Sequence, residues 1–469
     1  MTDGSSPAVP VTDDPFFPRL KALVIETTGM AFYADKDGEL ARILGERIEA
    51  AGVKGCARYL DLLKDADRGP AEMDALIAEL TIGETYFFRH KEQFDALRGI
   101  VMEEVIGRNQ ALRRIRIWSA GCATGPEPYS LAIMLKREFG TRIAGWHISI
   151  LATDINQKFL ARAREGRYGE WALRAMPDSI RHDCFDKVGD QWAIKPEYKR
   201  LVTFQYHNLI KNRFPSIVDN LAGFDIIICR NVIIYFSRDT IRELIPNFYD
   251  SLAENGWLIM GHAEPDLELF RRFRGVNTGG AVLYQKAPPP SPAPPRPFPV
   301  VAAPPPRSPT APRLRERSRP AAPPPPSPPA PVSFTAKADG LARMRELADR
   351  GQWDEAIKEG DRLLADNVLD ARLHFYRGLV LEQSGAKDES EKALRRAIYL
   401  DRHMVLPHYH LGLFMLSRNE IKAAAKSFRN VLTLLENLDD DQPLGEGDDI
   451  TVGQLRETVE MHLGLIGTS

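Results

Sequence analysis

The chain has 469 residues, which is enough for two or three domains, and its 62 basic and 64 acidic side chains leave a net charge of −2. Such a balance gives no overall field that would attract a nucleic acid or an anionic membrane. The four cysteines lie far apart and form no CxxC pair, which argues against a disulfide framework and against a zinc knuckle.

The N-terminal segment, MTDGSSPAVPVTDDP, has neither the basic start nor the apolar stretch of a targeting signal, and we expect residues 1–15 to be disordered. No apolar run reaches the roughly 20 residues that a membrane helix needs. We therefore expect a cytoplasmic protein with no membrane insertion and no nucleic-acid partner.

Helical periodicity begins directly after this segment. The spacing of apolar residues predicts a helical domain over residues 16–85. Its four predicted helices span Phe17–Thr28, Glu39–Ala51, Cys56–Asp65 and Ala71–Leu80.

From Arg113 onward, short apolar runs alternate with amphipathic segments, which predicts strands that alternate with helices. The predicted strands are RIRIWSA, HISILATD, FDIIICRN and GWLIMG, and the predicted helices are Glu127–Phe139, Gln157–Glu165 and Asp239–Leu252. This order is typical of a parallel sheet with crossover helices. Because ligands bind such sheets at the carboxyl ends of the strands, we predict an α/β domain over residues 86–286 with its site at that edge.

Proline fills about half of the positions between residues 287 and 333, which predicts an extended linker. Beyond it, residues 334–469 repeat with a period of 34, so that Gly378 aligns with Gly412. The period resembles that of tetratricopeptide repeats, which are stacked helix pairs that bind partners. Three units are expected over Leu341–Leu435, with a cap helix after them. The first unit is degenerate, with Met344 at the glycine position and Gly360 where a large residue usually packs.

Three histidines raise the question of a metal site in the repeats. His403, His408 and His410 lie across a repeat junction, where packing or surface roles are more typical than metal binding. We therefore predict no metal site. The sequence leaves open which protein the repeats bind.

The run WSAGCATGPEPYS follows the first predicted strand and contains the two glycines Gly121 and Gly125. It lacks both the GxxxxGK[ST] of a P-loop and the GxGxxG of a dinucleotide loop. Glu127, at the start of the next helix, would repel a pyrophosphate but attract a ligand ammonium. Asp154 ends the following strand, where a carboxylate can accept both hydroxyls of a ribose. Together these acids, with glycines that let the backbone approach, indicate S-adenosylmethionine, although each acid alone is equally well explained as a helix cap or a solvated strand end.

Four motifs in order, TIGETYFFRHKEQFDAL, WSAGCATGPEPYSLAI, ATDI and ICRNVIIYF, resemble the CheR-type chemoreceptor glutamate methyltransferases over residues 16–285. The resemblance implies an N-terminal helical domain, a doubly wound, Rossmann-like methyltransferase domain with a small antiparallel β-subdomain, and S-adenosylmethionine as the donor. Matched position by position, it implies donor contacts from Thr85, Arg89, Glu127, Asp154, Asn208, Leu209, Asn231 and Val232.

In this family the substrate is a glutamate side chain of a methyl-accepting receptor, and the product is its methyl ester. A glutamate with a pKa of about 4.3 is ionised at neutral pH, so transfer needs alignment and exclusion of water rather than a base. We expect Arg89 to orient the carboxylate and Tyr235 to donate a hydrogen bond near the methyl group. The alternatives are a surface salt bridge for Arg89 and core packing for Tyr235.

Gly83 departs from the family, because some members carry an asparagine there that contacts the donor. The rival to an active protein-glutamate O-methyltransferase is a repeat scaffold whose methyltransferase domain only binds or senses S-adenosylmethionine. A DNA methyltransferase is disfavoured because the [DNS]PP[YF] motif is absent. We expect the linker to hold the repeats many nanometres from the active site, so that they act by raising the effective concentration of the receptor. The alternative is that the repeats fold back and gate the site.

Overall fold

The computed structural model describes residues 10–262, 264, 268–278, 280–286, 334–445 and 450–467. The predicted linker, residues 287–333, lies outside the described residues, as do residues 1–9 of the segment expected to be disordered. Residues 10–15 differ from that expectation, because Val11–Asp13 form a 3-10 helix and an Asp14 carboxylate oxygen accepts a hydrogen bond from Cys56 N at 2.9 Å. Among the described residues, no helix is both long and apolar enough to cross a membrane.

The N-terminal part is helical, as predicted. Four helices pack around one apolar core: α1 (Phe17–Thr28), α2 (Asp37–Ala50), α3 (Gly55–Leu63) and α4 (Gly69–Leu80). Two further helices, α5 (Lys91–Ala96) and α6 (Met102–Arg108), are joined by a π-helical turn and lead into the central sheet.

Within its described residues, the central part contains ten strands, which form two sheets. The strands are β1 (Arg114–Ala120), β2 (His147–Asp154), β3 (Arg167–Tyr168), β4 (Phe185–Val188), β5 (Gln191–Ile194), β6 (Val202–Tyr206), β7 (Phe224–Cys229), β8 (Leu252–Met260), β9 (Phe273–Asn277) and β10 (Val282–Lys286). The main sheet has the order β6-β2-β1-β7-β8-β10-β9, and β3, β5 and β4 form the small antiparallel sheet that the resemblance implied. In the main sheet β6, β2, β1, β7 and β8 run parallel, and β10 is antiparallel to its neighbours.

Helices cover both faces of the main sheet, which makes the domain doubly wound. The helices of this part are α7 (Pro126–Glu138), α8 (Gln157–Glu165), α9 (Asp178–Cys184), α10 (Pro196–Lys199) and α11 (Arg238–Ser251). Alternate side chains of β1 enter different cores: Ile117 packs with residues of α7, whereas Trp118 packs with residues of α11. This explains why β1 is apolar throughout rather than alternating. The strand order reverses between β1 and β7, which is where such sheets bind ligands.

The C-terminal part is a stack of antiparallel helices with the predicted period. Its helices are α12 (Phe334–Asp349), α13 (Trp353–Asp366), α14 (Ala371–Ser384), α15 (Lys387–Leu400), α16 (Val405–Ser417), α17 (Ile421–Leu435) and the cap α18 (Val452–Gly467). The repeat glycines sit where paired helices cross, since a Cβ at Gly378 would lie 2.9 Å from the Leu394 side chain and one at Gly412 would lie 2.5 Å from the Phe428 ring.

The degenerate first unit keeps the same crossing with its residues exchanged. A Cβ at Gly360 would lie 2.8 Å from Cε of Met344, so the methionine side chain occupies the space above this glycine. Position 344 aligns with the glycines of the later units, and position 360 aligns with their large residues. The large and small residues of the crossing have therefore changed places between the two helices.

The repeats pack directly against the domain that contains the main sheet. Asp349, at the end of α12, accepts a hydrogen bond from Ile217 N at 2.9 Å, and His410 of α16 donates one to Val218 O at 2.8 Å. Glu457 of α18 pairs with Arg164 of α8 at 3.0 Å. The expectation that the linker holds the repeats many nanometres away is therefore wrong.

Candidate active site

A two-lobed cleft lies at the carboxyl ends of β1, β2, β6 and β7. The inner lobe, about 110 Å³, is largely apolar and contains Asp154, Phe159 and Leu209. The outer lobe, about 230 Å³, is polar and contains Glu127 and Arg89. Five residues line both lobes, namely Ile82, Gly121, Ala123, Asn231 and Tyr235. The cleft can therefore hold one elongated ligand with an apolar end and a charged end.

Gly121 and Gly125 have different positions relative to the cleft. Gly121 has φ +76° and lines both lobes, and a Cβ there would lie 2.3 Å from a Val232 methyl group. Gly125 has φ +92° at the N-cap of α7, where a Cβ would lie 2.9 Å from Cβ of Ala163. Gly125 therefore closes the packing of α7 on α8, and it is not among the residues that line either lobe.

Glu127 lies in the first turn of α7, as predicted, but its carboxylate already has partners. One oxygen accepts a hydrogen bond from Ser119 Oγ at 2.7 Å, and the other accepts one from Arg230 Nε at 2.6 Å. Both members of the Glu127–Arg230 ion pair are buried. A ligand ammonium would therefore meet a carboxylate whose charge is matched by Arg230, rather than the free carboxylate that the sequence suggested.

The sequence did not lead us to predict Arg230 as a site residue, although it stands beside Asn231 in the motif ICRNVIIYF. Besides the ion pair, its Nη1 donates hydrogen bonds to Arg89 O at 2.6 Å and to the Gln93 side chain at 3.0 Å. It lines the outer lobe. Arg230 thus fixes the backbone of one cleft residue, Arg89, and the side chain of another, Glu127.

Asp154 lies at the end of β2 with 9% of its surface exposed. Its two oxygens accept hydrogen bonds from Ala123 N and Asn156 N, each at 2.8 Å. Burial raises the pKa of the Asp154 carboxyl to about 6, and the backbone hydrogen bonds oppose that rise. Each carboxylate oxygen has a second lone pair, so Asp154 can accept two further hydrogen bonds from a ligand in the inner lobe.

Asn208 and Leu209 lie in the loop after β6. Both Asn208 and Leu209 line the inner lobe. The Asn208 side chain donates to Thr27 O at 2.8 Å and accepts from Ile210 N at 2.9 Å. Asn208 therefore fastens this wall of the cleft to α1 of the N-terminal part, and its side-chain hydrogen bonds serve the fold.

Asn231 and Val232 follow β7, and Asn231 has φ +59°. Glu264 holds this turn, because its carboxylate accepts hydrogen bonds from Val232 N at 3.0 Å and from Gly261 N. Desolvation raises the pKa of this buried carboxyl. Glu264 is a second residue that the sequence analysis missed, since it lies 32 positions away from Val232 in a segment without a motif.

Thr85, Arg89 and Tyr235 line the outer lobe together. The Arg89 guanidinium donates to Glu84 O at 3.0 Å. Tyr235 has its ring 5.7 Å from that of Phe32, and burial raises its pKa, so its hydroxyl is protonated at neutral pH. A cation and a hydroxyl donor therefore face the same polar space.

Packing explains why this chain has a glycine at position 83. A Cβ at this position would lie 2.5 Å from the ring of Phe159, which lines the inner lobe. An asparagine here would displace that ring. The aromatic ring therefore takes the room that a side chain at position 83 would need.

The residues of the cleft fit S-adenosylmethionine. The inner lobe provides apolar surface for an adenine, and the free lone pairs of Asp154 suit the two ribose hydroxyls. The outer lobe provides Glu127 for the amino group of a methionine. Gly121 lines both lobes, so a ligand that spans them passes beside its backbone.

Comparison with known proteins agrees with this fit. A family model described as CheR methyltransferase, SAM binding domain, matches residues 83–278. A chemotaxis protein methyltransferase from Listeria monocytogenes is 34% identical over 204 residues, which cover 44% of this chain and 73% of that protein. A probable biofilm formation methyltransferase, WspC, from Pseudomonas aeruginosa is 29% identical over 373 residues, which cover 76% of this chain and 85% of that protein.

Solved structures of helical proteins are similar to part of the chain, and one of them serves as an example. It is that of the Yersinia enterocolitica type III secretion chaperone SycD in complex with a peptide of the translocator YopD, with a TM-score of 0.26 and 15% identity over 29% of this chain and 95% of that chain. The family model covers the domain that contains the cleft. This chain therefore belongs to the CheR family of chemotaxis methyltransferases, and it is a methyltransferase that uses S-adenosylmethionine.

Proposed function

We propose that this chain methylates glutamate side chains of a chemoreceptor-like signalling protein, giving glutamate methyl esters and S-adenosylhomocysteine. The observation that carries the proposal is the outer lobe of the cleft. Arg89 and Tyr235 line it together, next to the residues that fit the methionine end of the donor. A bound S-adenosylmethionine supplies an electrophilic methyl group. A glutamate carboxylate needs no base to become a nucleophile, since its pKa of about 4.3 keeps it ionised at neutral pH.

The residues of the outer lobe have separate roles in this proposal. Arg89 binds and orients the incoming carboxylate, and Tyr235 donates a hydrogen bond near the reacting atoms. The residues that contact the donor are Thr85, Glu127, Asp154, Asn208, Leu209, Asn231 and Val232. Arg230 positions Glu127 and Arg89 through its hydrogen bonds.

The first test separates donor binding from transfer. Arg89→Ala will keep its affinity for S-adenosylhomocysteine but will slow single-turnover transfer of labelled methyl to a receptor fragment by about 10- to 100-fold, the effect of losing one charge-assisted hydrogen bond. Arg98→Ala is the matched control, because Arg98 pairs with Glu138 and Asp95 away from the cleft. Normal transfer by Arg89→Ala at saturating receptor would assign Arg89 to the fold.

The second test identifies the acceptor group. A glutamate methyl ester is hydrolysed by alkali and releases labelled methanol, whereas a methylated amine retains its label. Alkali-stable label would contradict the proposed acceptor. Donor binding without any transfer would instead favour the repeat scaffold that only senses S-adenosylmethionine.

We further infer that the repeat domain recruits a protein partner. Stacked helix pairs offer extended surfaces for such binding, and three of them are present here. The partner is a separate question from the chemistry, since neither lobe of the cleft contains a residue of α12–α18.

A further inference from the structure

The repeat domain already holds a segment of its own chain. Residues 213–223, here called the docking segment, form the last part of the connection between β6 and β7. They make a tight turn, in which Ser216 and Leu221 pair as an antiparallel bridge. Ile217, Val218 and Ala222 of this segment are each less than 5% exposed. They belong to the same apolar core as the repeat helices rather than to the cores of the sheet.

Polar contacts fix the first half of the docking segment to the repeats. The Asp349 carboxylate accepts hydrogen bonds from Ile217 N at 2.9 Å and from the Arg213 guanidinium at 2.8 Å. His410, only 3% exposed, donates from Nε2 to Val218 O at 2.8 Å. Asp349 and His410 belong to the first helices of the first and third helix pairs. These first helices thus recognise main-chain groups of a turn, together with one basic side chain before it.

The docking segment is also continuous with the wall of the donor cleft. Asn208 N donates to the Asn212 side chain at 2.7 Å, one residue before the segment begins. Further along, Asn220 O accepts a hydrogen bond from Arg116 of β1 at 2.9 Å. A contact made by the repeats at residues 217 and 218 therefore acts on the same loop that places Leu209 in the inner lobe.

We propose that the first-helix face of the repeats, centred on Asp349 and His410, is a peptide-binding surface whose resident ligand is the docking segment, and that a protein partner binds there by displacing it. The partner presents a tight turn with an apolar residue at its start and an arginine four positions earlier, as Arg213 and Ile217 do. Displacement frees the loop that contains Asn208 and Leu209, so occupancy of the repeats controls how firmly the donor is held. The proposal is independent of the methyl acceptor, since its readouts are donor binding and backbone exchange.

Asp349→Ala tests the coupling, with Asp366→Ala as the matched control because Asp366 is exposed at the end of the second helix of the same unit. In Asp349→Ala, amide hydrogen exchange of residues 208–222 will become faster, and the Kd for S-adenosylhomocysteine will rise about three- to tenfold. Asp366→Ala will behave as the wild type. Unchanged exchange and unchanged affinity in a folded Asp349→Ala protein would overturn the coupling.

A second pair of variants covers the case in which Asp349→Ala unfolds the repeats. His410→Leu removes the donor to Val218 O, whereas His410→Gln keeps an N–H donor of similar reach. Faster exchange of residues 208–222 in His410→Leu, with protection restored in His410→Gln, supports the contact. Equal exchange in the two variants would contradict a role for this hydrogen bond.

A synthetic peptide of residues 212–223 tests displacement in the full-length protein. Added in excess, it will speed exchange of residues 213–222 and raise the Kd for S-adenosylhomocysteine, whereas a peptide of the same composition in scrambled order will not. If the native-sequence peptide has no effect up to millimolar concentration, the contact is a fixed interface between domains. That result would overturn the exchange with a partner.

Discussion

Two buried carboxylates, one in the donor cleft and one at the repeat interface, are satisfied in different ways. Asp154 accepts two backbone N–H groups and, within the described part of the chain, forms no ion pair. Asp349 also accepts a backbone N–H, from Ile217, but it is paired with Arg213 as well. The difference teaches that Asp154, which has no cation beside it, keeps its capacity for a ligand, whereas Asp349, whose charge is matched by Arg213, serves the interface.

The largest effect is expected from the buried ion pair of the outer lobe, that of Glu127 with Arg230. Arg230→Met leaves a buried carboxylate without its cation, which will lower the free energy of unfolding by about 3–5 kcal/mol. Urea denaturation followed by tryptophan fluorescence measures the loss, since Trp118 and Trp257 are buried in the catalytic domain.

The matched change at the repeat interface is Arg213→Met. The Arg213 side chain is 51% exposed, so solvent already screens its pair with Asp349. We expect this variant to lose less than about 2 kcal/mol. If Arg230→Met and Arg213→Met lower the free energy of unfolding by the same amount, the contrast between the cleft and the interface is wrong.

Asp154→Ala is expected to have the next largest effect. It removes the acceptor of two ribose hydroxyls, and two hydrogen bonds to a charged group at about 1.5 kcal/mol each correspond to a roughly hundredfold rise in Kd. Calorimetry with S-adenosylhomocysteine measures this rise. Asp186→Ala, an exposed aspartate of β4, is the control. Unchanged affinity in Asp154→Ala would remove this residue from the site.

The pH dependence of donor binding is a second test of Asp154 as the acceptor of the ribose hydroxyls, and its expected effect is smaller. Because the ionised carboxylate accepts the hydroxyls and its pKa is about 6, only about a tenth of Asp154 is ionised at pH 5, and we expect about tenfold weaker binding there than at pH 7. Calorimetry at both pH values checks this, and Asp154→Asn should lose the dependence.

The contribution of Asp154 to the free energy of unfolding should change with pH in the direction opposite to donor binding. The pKa of Asp154 in the folded chain lies above the ordinary value of 3.8, so the folded state binds the proton more tightly than the unfolded state does. The contribution of this group to stability therefore rises as the pH falls from about 6 towards 4. A stability contribution that fell over this range would contradict the assigned pKa.

Local patterns predicted the elements of the fold well, and the reason is their short range. The strand Arg114–Ala120 and the helix Gln157–Glu165 were predicted with their observed bounds, because apolar runs and periodicity depend only on neighbours in sequence. The helix of Asp37–Ala50 was placed two residues late at its start, since Lys36 at its N-cap gives no capping signal.

Contacts between distant residues could not be predicted in this way. Arg230 reaches Glu127 across 103 positions, and the motif that contains Arg230 does not state which acid it meets. His410 reaches Val218 across 192 positions. The proline-rich linker suggested separated domains, because its composition describes the stiffness of the linker but not the complementarity of the surfaces that it joins.

The exchange between Met344 and Gly360 shows what a repeat unit actually preserves. A helix crossing needs a fixed total side-chain volume, and either helix can supply it. We therefore expect positions 344 and 360 to vary together. A single change to glycine at 344 opens a void, a single change to leucine at 360 creates a clash, and the two changes together restore the arrangement of the later units. Position-by-position comparison of repeats will undercount degenerate copies of this kind, whereas comparison of summed volumes across each crossing will find them.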